Sequence, residues 1–184
     1  MLPSEQIIAQ TLSWITNVVV GCNFCPFAAR EVKRGSIHFE VVRTEDRAEI
    51  LKALSREFDR LDNDEGIETT LIILPDQFYS FESYLDMTGI CEDFLADQDY
   101  EGVYQIASFH PEYIFEGEEV NDPANYTNRS PYPMIHILRE ASITNALENF
   151  DHPERIPQRN IDFARKKGLA QMKLLRESCF TIHH

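Results

Sequence analysis

The sequence is poor in positive charge. It has 17 lysine and arginine residues against 31 aspartate and glutamate residues, which gives a formal net charge of −14. Proteins that bind nucleic acids broadly need a basic face, and anionic membrane surfaces attract basic segments. The charge balance therefore argues against nucleic-acid and membrane partners. It still allows a local basic pocket for a small anion.

Long apolar runs are also lacking. No stretch approaches the roughly 20 apolar residues that a bilayer-spanning helix needs. The first residues, MLPSEQIIAQTLSW, do not have the basic-then-apolar order of a signal peptide. We therefore expect a cytoplasmic protein. With 184 residues, 43% of them hydrophobic, the chain can bury a core as one domain over 1–184.

Cysteine is scarce, and its spacing completes no known metal motif. The four cysteines are Cys22, Cys25, Cys91 and Cys179. In the cytoplasm we expect them to be thiols. The Cys22–Cys25 pair is half of a zinc knuckle, and no second C-x-x-C or H-x-x-x-H pattern completes it. A thioredoxin-like site would need a strand before this pair, where the pattern favours a helix. We leave His183 and His184 out of the site predictions.

Apolar periodicity predicts an α/β fold. It indicates strands over 37–42, 69–74 and 103–109, and a possible fourth at 113–115. It indicates helices over 4–20, 27–33, 46–61, 80–96, 133–149 and 160–178. Strands that alternate with helices are typical of parallel neighbours. We therefore predict one domain with a three- or four-stranded, largely parallel sheet, flanking helices and two C-terminal helices.

The stretch over 105–139 is the strongest candidate for a functional site. It starts in the third predicted strand and opens into a polar loop of about 20 residues, a length that is usually functional. His110 comes directly after the strand, where ligands of open α/β sheets bind. We expect His110 to act as an acid, a base or a metal ligand. A second interpretation is a structural loop whose Asn and Asp side chains cap its own turns.

The end of this loop predicts a binding site for an anion. The helix predicted over 133–149 would begin just after Arg129 and Ser130, and free N–H groups at a helix start favour anions. Arg129 adds a bidentate donor for carboxylate or phosphate. The predicted ligand-binding residues are Asn125, Asn128, Arg129, Ser130 and Arg139. His136 would either pair with His110 in acid–base chemistry or be a packed histidine.

Cys25 is the third candidate. It lies at the start of a short predicted helix with Arg30, Lys33 and Arg34 nearby, and these features would lower its pKa. Cys25 would then be a nucleophile or a metal ligand. The alternative is a small buried hydrophobic residue between two phenylalanines.

Several segments resemble a bacterial family of proteins of about this length, which is classed only as a domain of unknown function. The segments are CPFA at 25–28, GVYQIASFHP at 102–111, NYTNRSPYP at 125–133 and HILRE at 136–140. The resemblance implies one domain and brings no activity. The family pattern around the first thiol reads GLNLCPFA. Because Cys22 stands where that pattern has leucine, the resemblance favours Cys25 alone as the important thiol.

Three hypotheses follow, and the sequence identifies no cofactor for any of them. The first is a small cytoplasmic enzyme that acts on a small anionic metabolite, with Cys25, His110 and His136 as catalytic residues. The second is a non-catalytic Zn or Fe protein that uses the same three residues as ligands. The third is a partner-binding domain whose loop over 110–130 is the interaction surface.

Overall fold

The computed structural model describes residues 1–148 and 150–181, so His183 and His184 lie outside it. The strands are β1 (Ile37–Val41), β2 (Thr69–Ile73), β3 (Tyr104–Phe109) and β4 (Met134–Arg139). The helices are α1 (Ser4–Trp14), α2 (Ala28–Arg34), α3 (Arg47–Asn63), α4 (Phe81–Asp97), α5 (Glu140–Leu147), α6 (Ile156–Lys167) and α7 (Leu169–Ser178). A π-helix (Ile15–Val20) follows α1, and 3-10 helices form at Pro123–Thr127 and Pro153–Arg155. The predicted α/β class is confirmed.

The four strands form one sheet in the order β1-β2-β4-β3. β1 and β2 are parallel, whereas β4 is antiparallel to both of its neighbours, β2 and β3. Three strands therefore run in one direction, and β4 is inserted between two of them in the other. The prediction of a largely parallel sheet is wrong, because only one of the three neighbouring pairs is parallel.

β4 is the element that the sequence pattern assigned incorrectly. The pattern predicts a helix over 133–149, but residues 134–139 are a central strand and α5 begins only at Glu140. Ile135 and Ile137 pack against the layer of α3 and α4, while Met134 faces the opposite layer. A strand buried on both faces is nearly continuously apolar, and a short run of this kind can also be aligned to helical spacing. The predicted strand at 113–115 does not form.

Helices cover both faces of the sheet. α3 and α4 close one face, and both begin with a side-chain cap: Asp46 accepts from Ala48 N and Ser80 accepts from Ser83 N. The core on that side includes Ile50, Leu54, Phe58, Ile72, Met87, Ile135 and Ile137. α1, the π-helix, α6 and α7 supply the opposite face. That core includes Ile7, Trp14, Val18, Leu71, Ile73, Met134, Ala164 and Met172.

The predicted helix over 4–20 forms, but its last six residues wind as a π-helix. It ends at Gly21, where a Cβ atom would lie 2.3 Å from the backbone oxygen of Asn17. Glycine is therefore required there by the close approach of the backbone rather than by its φ of −61°. π-helical turns often occur near functional sites. This one leads directly into the Cys22–Cys25 segment.

Candidate functional site

The long loop between β3 and β4 is folded around the side chain of Asn125, which is fully buried. Asn125 Oδ1 accepts from Phe115 N at 3.0 Å, and Nδ2 donates to Glu119 O at 2.9 Å. Arg165 of α6 contacts Asp122 from outside at 2.9 Å. Asn125 is thus occupied in shaping the loop. The middle of the loop, over 116–121, is largely exposed, and burial is concentrated at its end around Asn125.

His110 is held by both ring nitrogens and is only 1% exposed. Nδ1 accepts from Glu112 N at 3.0 Å, so the proton is on Nε2, which donates to Phe78 O at 2.7 Å. The ring packs against Phe81 and Tyr84 of α4. Burial lowers the His110 pKa below its ordinary value and keeps the ring neutral. His110 therefore fixes the start of the loop.

His136 lies on the other face of the sheet. Its Nε2 is 2.6 Å from Thr69 Oγ1, and its ring packs against Phe109, which in turn contacts Trp14 of α1. Burial lowers the His136 pKa to about 4. Because His110 packs on the α4 side, the sheet separates the two histidines. The structure does not bring them together as an acid–base pair.

Cys25 is half-buried between the π-helix and α2. The backbone groups of Phe27 and Ala28 hydrogen-bond to its thiol, as expected near a helix start. Burial has the larger effect and raises the Cys25 pKa above its ordinary value. The predicted lowering is therefore wrong, because the helix is short and the thiol is shielded from water. The Cys22 pKa is also raised by burial.

The predicted metal ligands do not converge. A metal site needs several ligand atoms from His, Cys, Asp or Glu close together. Within residues 1–148 and 150–181, one group of three such side chains has its ligand atoms within 4.8 Å of one another: His38, Glu40 and Glu57. Cys25, His110 and His136 are not such a group. Cys25 and His136 belong to the side of α1 and α6, and His110 belongs to the side of α4.

Arg129 is the predicted site residue that meets a cavity. It is 8% exposed and donates from Nε to Tyr113 O at 3.0 Å and from Nη2 to Val120 O at 2.8 Å. Its guanidinium lies 4.9 Å from the centre of the Tyr126 ring. In the part of the chain that the structure describes, no carboxylate lies within 4.0 Å of Arg129, and its Nη1 has no acceptor. Arg129 is therefore largely buried without an acidic partner, and its unpaired Nη1 is not among the atoms shielded from solvent.

A cavity of about 300 Å³ opens beside this guanidinium, and we call it the Arg129 cavity. It is lined by Phe81, Pro111, Glu112, Ile114, Val120 and Arg129. Most of these residues present apolar side chains, and Glu112 and Arg129 supply charges. The cavity is thus mainly apolar, and its two charged groups belong to Glu112 and Arg129.

Sequence reasoning missed a second arginine near this site. Arg176 of α7 donates from Nε to Ser130 O at 3.0 Å. Burial and the nearby charge of Arg129 both lower the Arg176 pKa. Among the described residues, Arg176 also has no carboxylate within 4.0 Å. It lies 46 residues from Ser130 along the chain, and nothing in the local pattern indicates the contact.

The other predicted ligand-binding residues have structural partners. Asn128 Nδ2 donates to Ser108 O at 3.3 Å, and Ser130 Oγ donates to Tyr132 O at 2.5 Å. Ser130 precedes a strand, so the predicted helix start is absent and its dipole cannot favour an anion. Arg139 lies at the far end of β4 and donates to Leu61 O at 2.6 Å. It is not brought together with Arg129.

The fold and site define a mixed α/β protein in which the loop between β3 and β4 holds a largely buried arginine, without an acidic partner, beside a cavity. The chain belongs to the family described as a protein of unknown function, DUF1415, whose model matches residues 6–174. This membership confirms the family resemblance noted in the sequence. No curated protein and no solved structure is significantly similar to the chain. Within the described residues, no helix combines the length and apolar character needed to cross a membrane.

Proposed function

We propose that the protein binds a small organic anion in the Arg129 cavity. The observation that carries this proposal is the buried guanidinium of Arg129, which has no carboxylate partner although the chain has a net charge of −14. Burying a charge is costly unless it is paired. The two backbone carbonyls that Arg129 contacts offset only part of that cost. An anion in the cavity would complete the pairing through Nη1.

The lining of the cavity indicates the chemical class of this ligand. Phe81, Ile114 and Val120 offer apolar contacts, and Arg129 offers the anchoring charge. Pockets of this size hold small molecules, and guanidinium groups bind carboxylates and phosphates through paired hydrogen bonds. A small carboxylate or phosphate with an apolar portion fits both features. Arg176 would add positive potential from behind Ser130.

A reaction in this cavity would use Glu112. Of the lining residues, Glu112 carries the carboxylate that could take part in proton transfer with a ligand. The nitrogens of His110 are both hydrogen-bonded, and Nδ1 contacts the backbone of Glu112 itself, so His110 would position Glu112. The hypothesis that the protein is an enzyme stays a prediction. A reaction in the Arg129 cavity would not involve Cys25 or His136, because neither residue lines it.

The proposal is tested by titrating the protein with inorganic phosphate and with short aliphatic and aromatic carboxylates, followed by calorimetry and thermal unfolding. A ligand that binds only the folded state raises stability by RT ln(1 + [L]/Kd). Arg129→Lys keeps the charge and loses the fork of donors, so we expect binding to weaken by on the order of 10-fold or more. Arg129→Ala removes the charge and both contacts to loop carbonyls, whereas Arg129→Lys keeps the charge and gives up at least one of these contacts, so circular dichroism should confirm that each variant is folded.

Lys173 provides a matched control for charge. It lies one turn before Arg176 on α7 and is exposed, with Glu177 at 3.8 Å. Arg176→Ala should weaken binding, and Lys173→Ala should leave it unchanged. The proposal is wrong if a ligand binds Arg129→Lys as tightly as the unmodified chain. It is also wrong if no anion of the series binds at concentrations on the order of 10 mM, where even a weak site would shift the unfolding transition.

A further inference from the structure

We propose a site for a divalent transition-metal ion between β1 and α3, formed by His38, Glu40 and Glu57. His38 and Glu40 are two residues apart on β1, so their side chains leave the same face of the sheet. Glu57 reaches them from α3, which covers that face. The ligand atoms of all three lie within 4.8 Å of one another. β1 and β3 are opposite edges of the sheet, so this site is separate from the Arg129 cavity and does not depend on it.

The spacing of two of these atoms fits a shared ion. His38 Nε2 and Glu57 Oε2 are 3.6 Å apart, which is too long for a hydrogen bond between them. Two ligands that each lie about 2.1 Å from a tetrahedrally coordinated ion are about 3.4 Å from each other. The pair is therefore already close to the separation that a bound metal would impose.

The burial of Glu57 and of the His38 ring nitrogen is a second observation that favours a bound cation. The Glu57 side chain is 0% exposed, and acidic side chains are almost never fully buried without strong partners. His38 Nε2 is shielded from solvent and has no hydrogen-bond partner in the described structure. Glu57 is held by Arg60 and Thr70, so the unpartnered group is the imidazole nitrogen, which lies opposite Glu57 Oε2. A cation between the two would give the nitrogen a partner.

Neighbouring side chains hold the buried carboxylate in place. Thr70 Oγ1 donates to Glu57 Oε2 at 3.3 Å, and Arg60 Nε contacts the same oxygen at 3.1 Å. Arg56 approaches Glu40 at 3.5 Å. In metal sites, ligand carboxylates are themselves hydrogen-bonded in this way, and such contacts fix their orientation. The three ligands come from a strand and a helix rather than from a loop.

The ligand set selects the class of ion. One imidazole and two carboxylates suit ions such as Zn²⁺ or Mn²⁺, and the lack of a thiolate disfavours Cu⁺. Three protein ligands would leave a coordination position for water or another small ligand. A proton on His38 would also attract Glu57. Metal binding and protonation are distinguished below by stoichiometry.

The test uses the full chain without an affinity tag, stripped with a chelator and then dialysed against Zn²⁺ at micromolar free concentration. We expect about one Zn²⁺ per chain. His38→Gln and Glu57→Gln each remove one ligand and should weaken binding by more than about 100-fold, which exceeds the typical loss when only an orienting group is removed. Bound Co²⁺ should show absorption from nitrogen and oxygen ligands without a sulfur charge-transfer band.

His152→Gln is the matched control, because His152 forms an exposed pair with Glu154 at 3.1 Å. This variant should bind Zn²⁺ like the unmodified chain. Circular dichroism checks folding. If Glu57→Gln does not fold, His38→Gln decides the result, since His38 is partly exposed on an edge strand. Less than about a tenth of an equivalent of bound Zn²⁺, equal binding by His38→Gln, or a sulfur band would each overturn the proposal.

Discussion

At the scale of single residues, Tyr84 joins the ends of two strands. Its hydroxyl donates to Met134 O at 2.6 Å and accepts from Phe109 N at 2.9 Å, and the side chain is fully buried. Tyr84→Phe would leave a buried carbonyl and a partly buried N–H without their partner, so we expect a loss of about 2 kcal/mol in the free energy of unfolding. Urea denaturation measures this loss. The exposed Tyr79 is the control, and a cost at Tyr84 no larger than that of Tyr79→Phe would contradict the expectation.

His136 should make stability depend on pH. Its folded-state pKa is about 4, against an ordinary value of 6.5. Above pH 6.5 neither the folded nor the unfolded state holds the proton, so the full stability is present. Between pH 6.5 and about 4 the unfolded state binds the proton preferentially, and stability should fall by up to about 3 kcal/mol.

The comparison with His136→Gln isolates this effect from the titration of carboxylates. Unfolding free energies measured from pH 7 to pH 4 should decline less steeply in His136→Gln than in the unmodified chain. The exposed His152 gives a control, and His152→Gln should keep the original slope. Parallel curves for His136→Gln and the unmodified chain would show that His136 titrates normally in the folded protein.

The polar residues of the loop could be located from the sequence, but their roles could not. Asn125, His110 and Arg129 use the same atoms to hold a loop that they would use to hold a ligand. Only the position of the partners distinguishes the two roles. Arg129 differs from the others because part of its guanidinium remains without a partner. Arg176 and His38 have no distinctive local pattern, since their neighbours come from distant parts of the chain.

At the scale of secondary-structure elements, replacing either of two glycines by alanine should change the stability of the protein in opposite directions. A Cβ at Gly21 would lie 2.3 Å from Asn17 O, so Gly21→Ala must displace the backbone at the end of the π-helix. Gly89 lies inside α4, and a Cβ added there would meet nothing within 4 Å. Gly89→Ala should therefore stabilise the protein by about 1 kcal/mol through helix propensity. Thermal unfolding of the two variants, compared with the unmodified chain, tests both signs.

The assignment of β4 shows what local patterns leave open. Pro133 suits a helix start, and Met134, Ile137 and Leu138 match helical spacing. The same residues also form a continuous apolar run, which a central strand needs. The choice depends on β2 and β3, which lie far away in sequence and flank this segment on both sides. Elements with one clear apolar face, such as α3 and α4, carry enough local information to be predicted.

At the scale of the whole molecule, the two proposed sites lie at opposite edges of the sheet, whose strand order is β1-β2-β4-β3. β4 is the antiparallel neighbour of β3, and a short hairpin could join such a pair, so the pairing does not require the long connection over 110–133. That connection encloses the Arg129 cavity at the β3 edge. The β1 edge, covered by α3, holds the His38 cluster. The sequence predicts the strands that run in one direction, but the antiparallel strand between them depends on contacts that no local segment encodes.

This topology makes a prediction for hydrogen exchange. β2 and β4 are hydrogen-bonded on both sides, so their amides should exchange only through global unfolding. α2 contains no fully buried residue and should open locally. Exchange measured by mass spectrometry should therefore be orders of magnitude slower in a peptide covering Met134–Arg139 than in one covering Ala28–Arg34. If both peptides exchange at the same rate, Met134–Arg139 is not an inner strand. The loop between β3 and β4, which lines the Arg129 cavity, would then follow a different course.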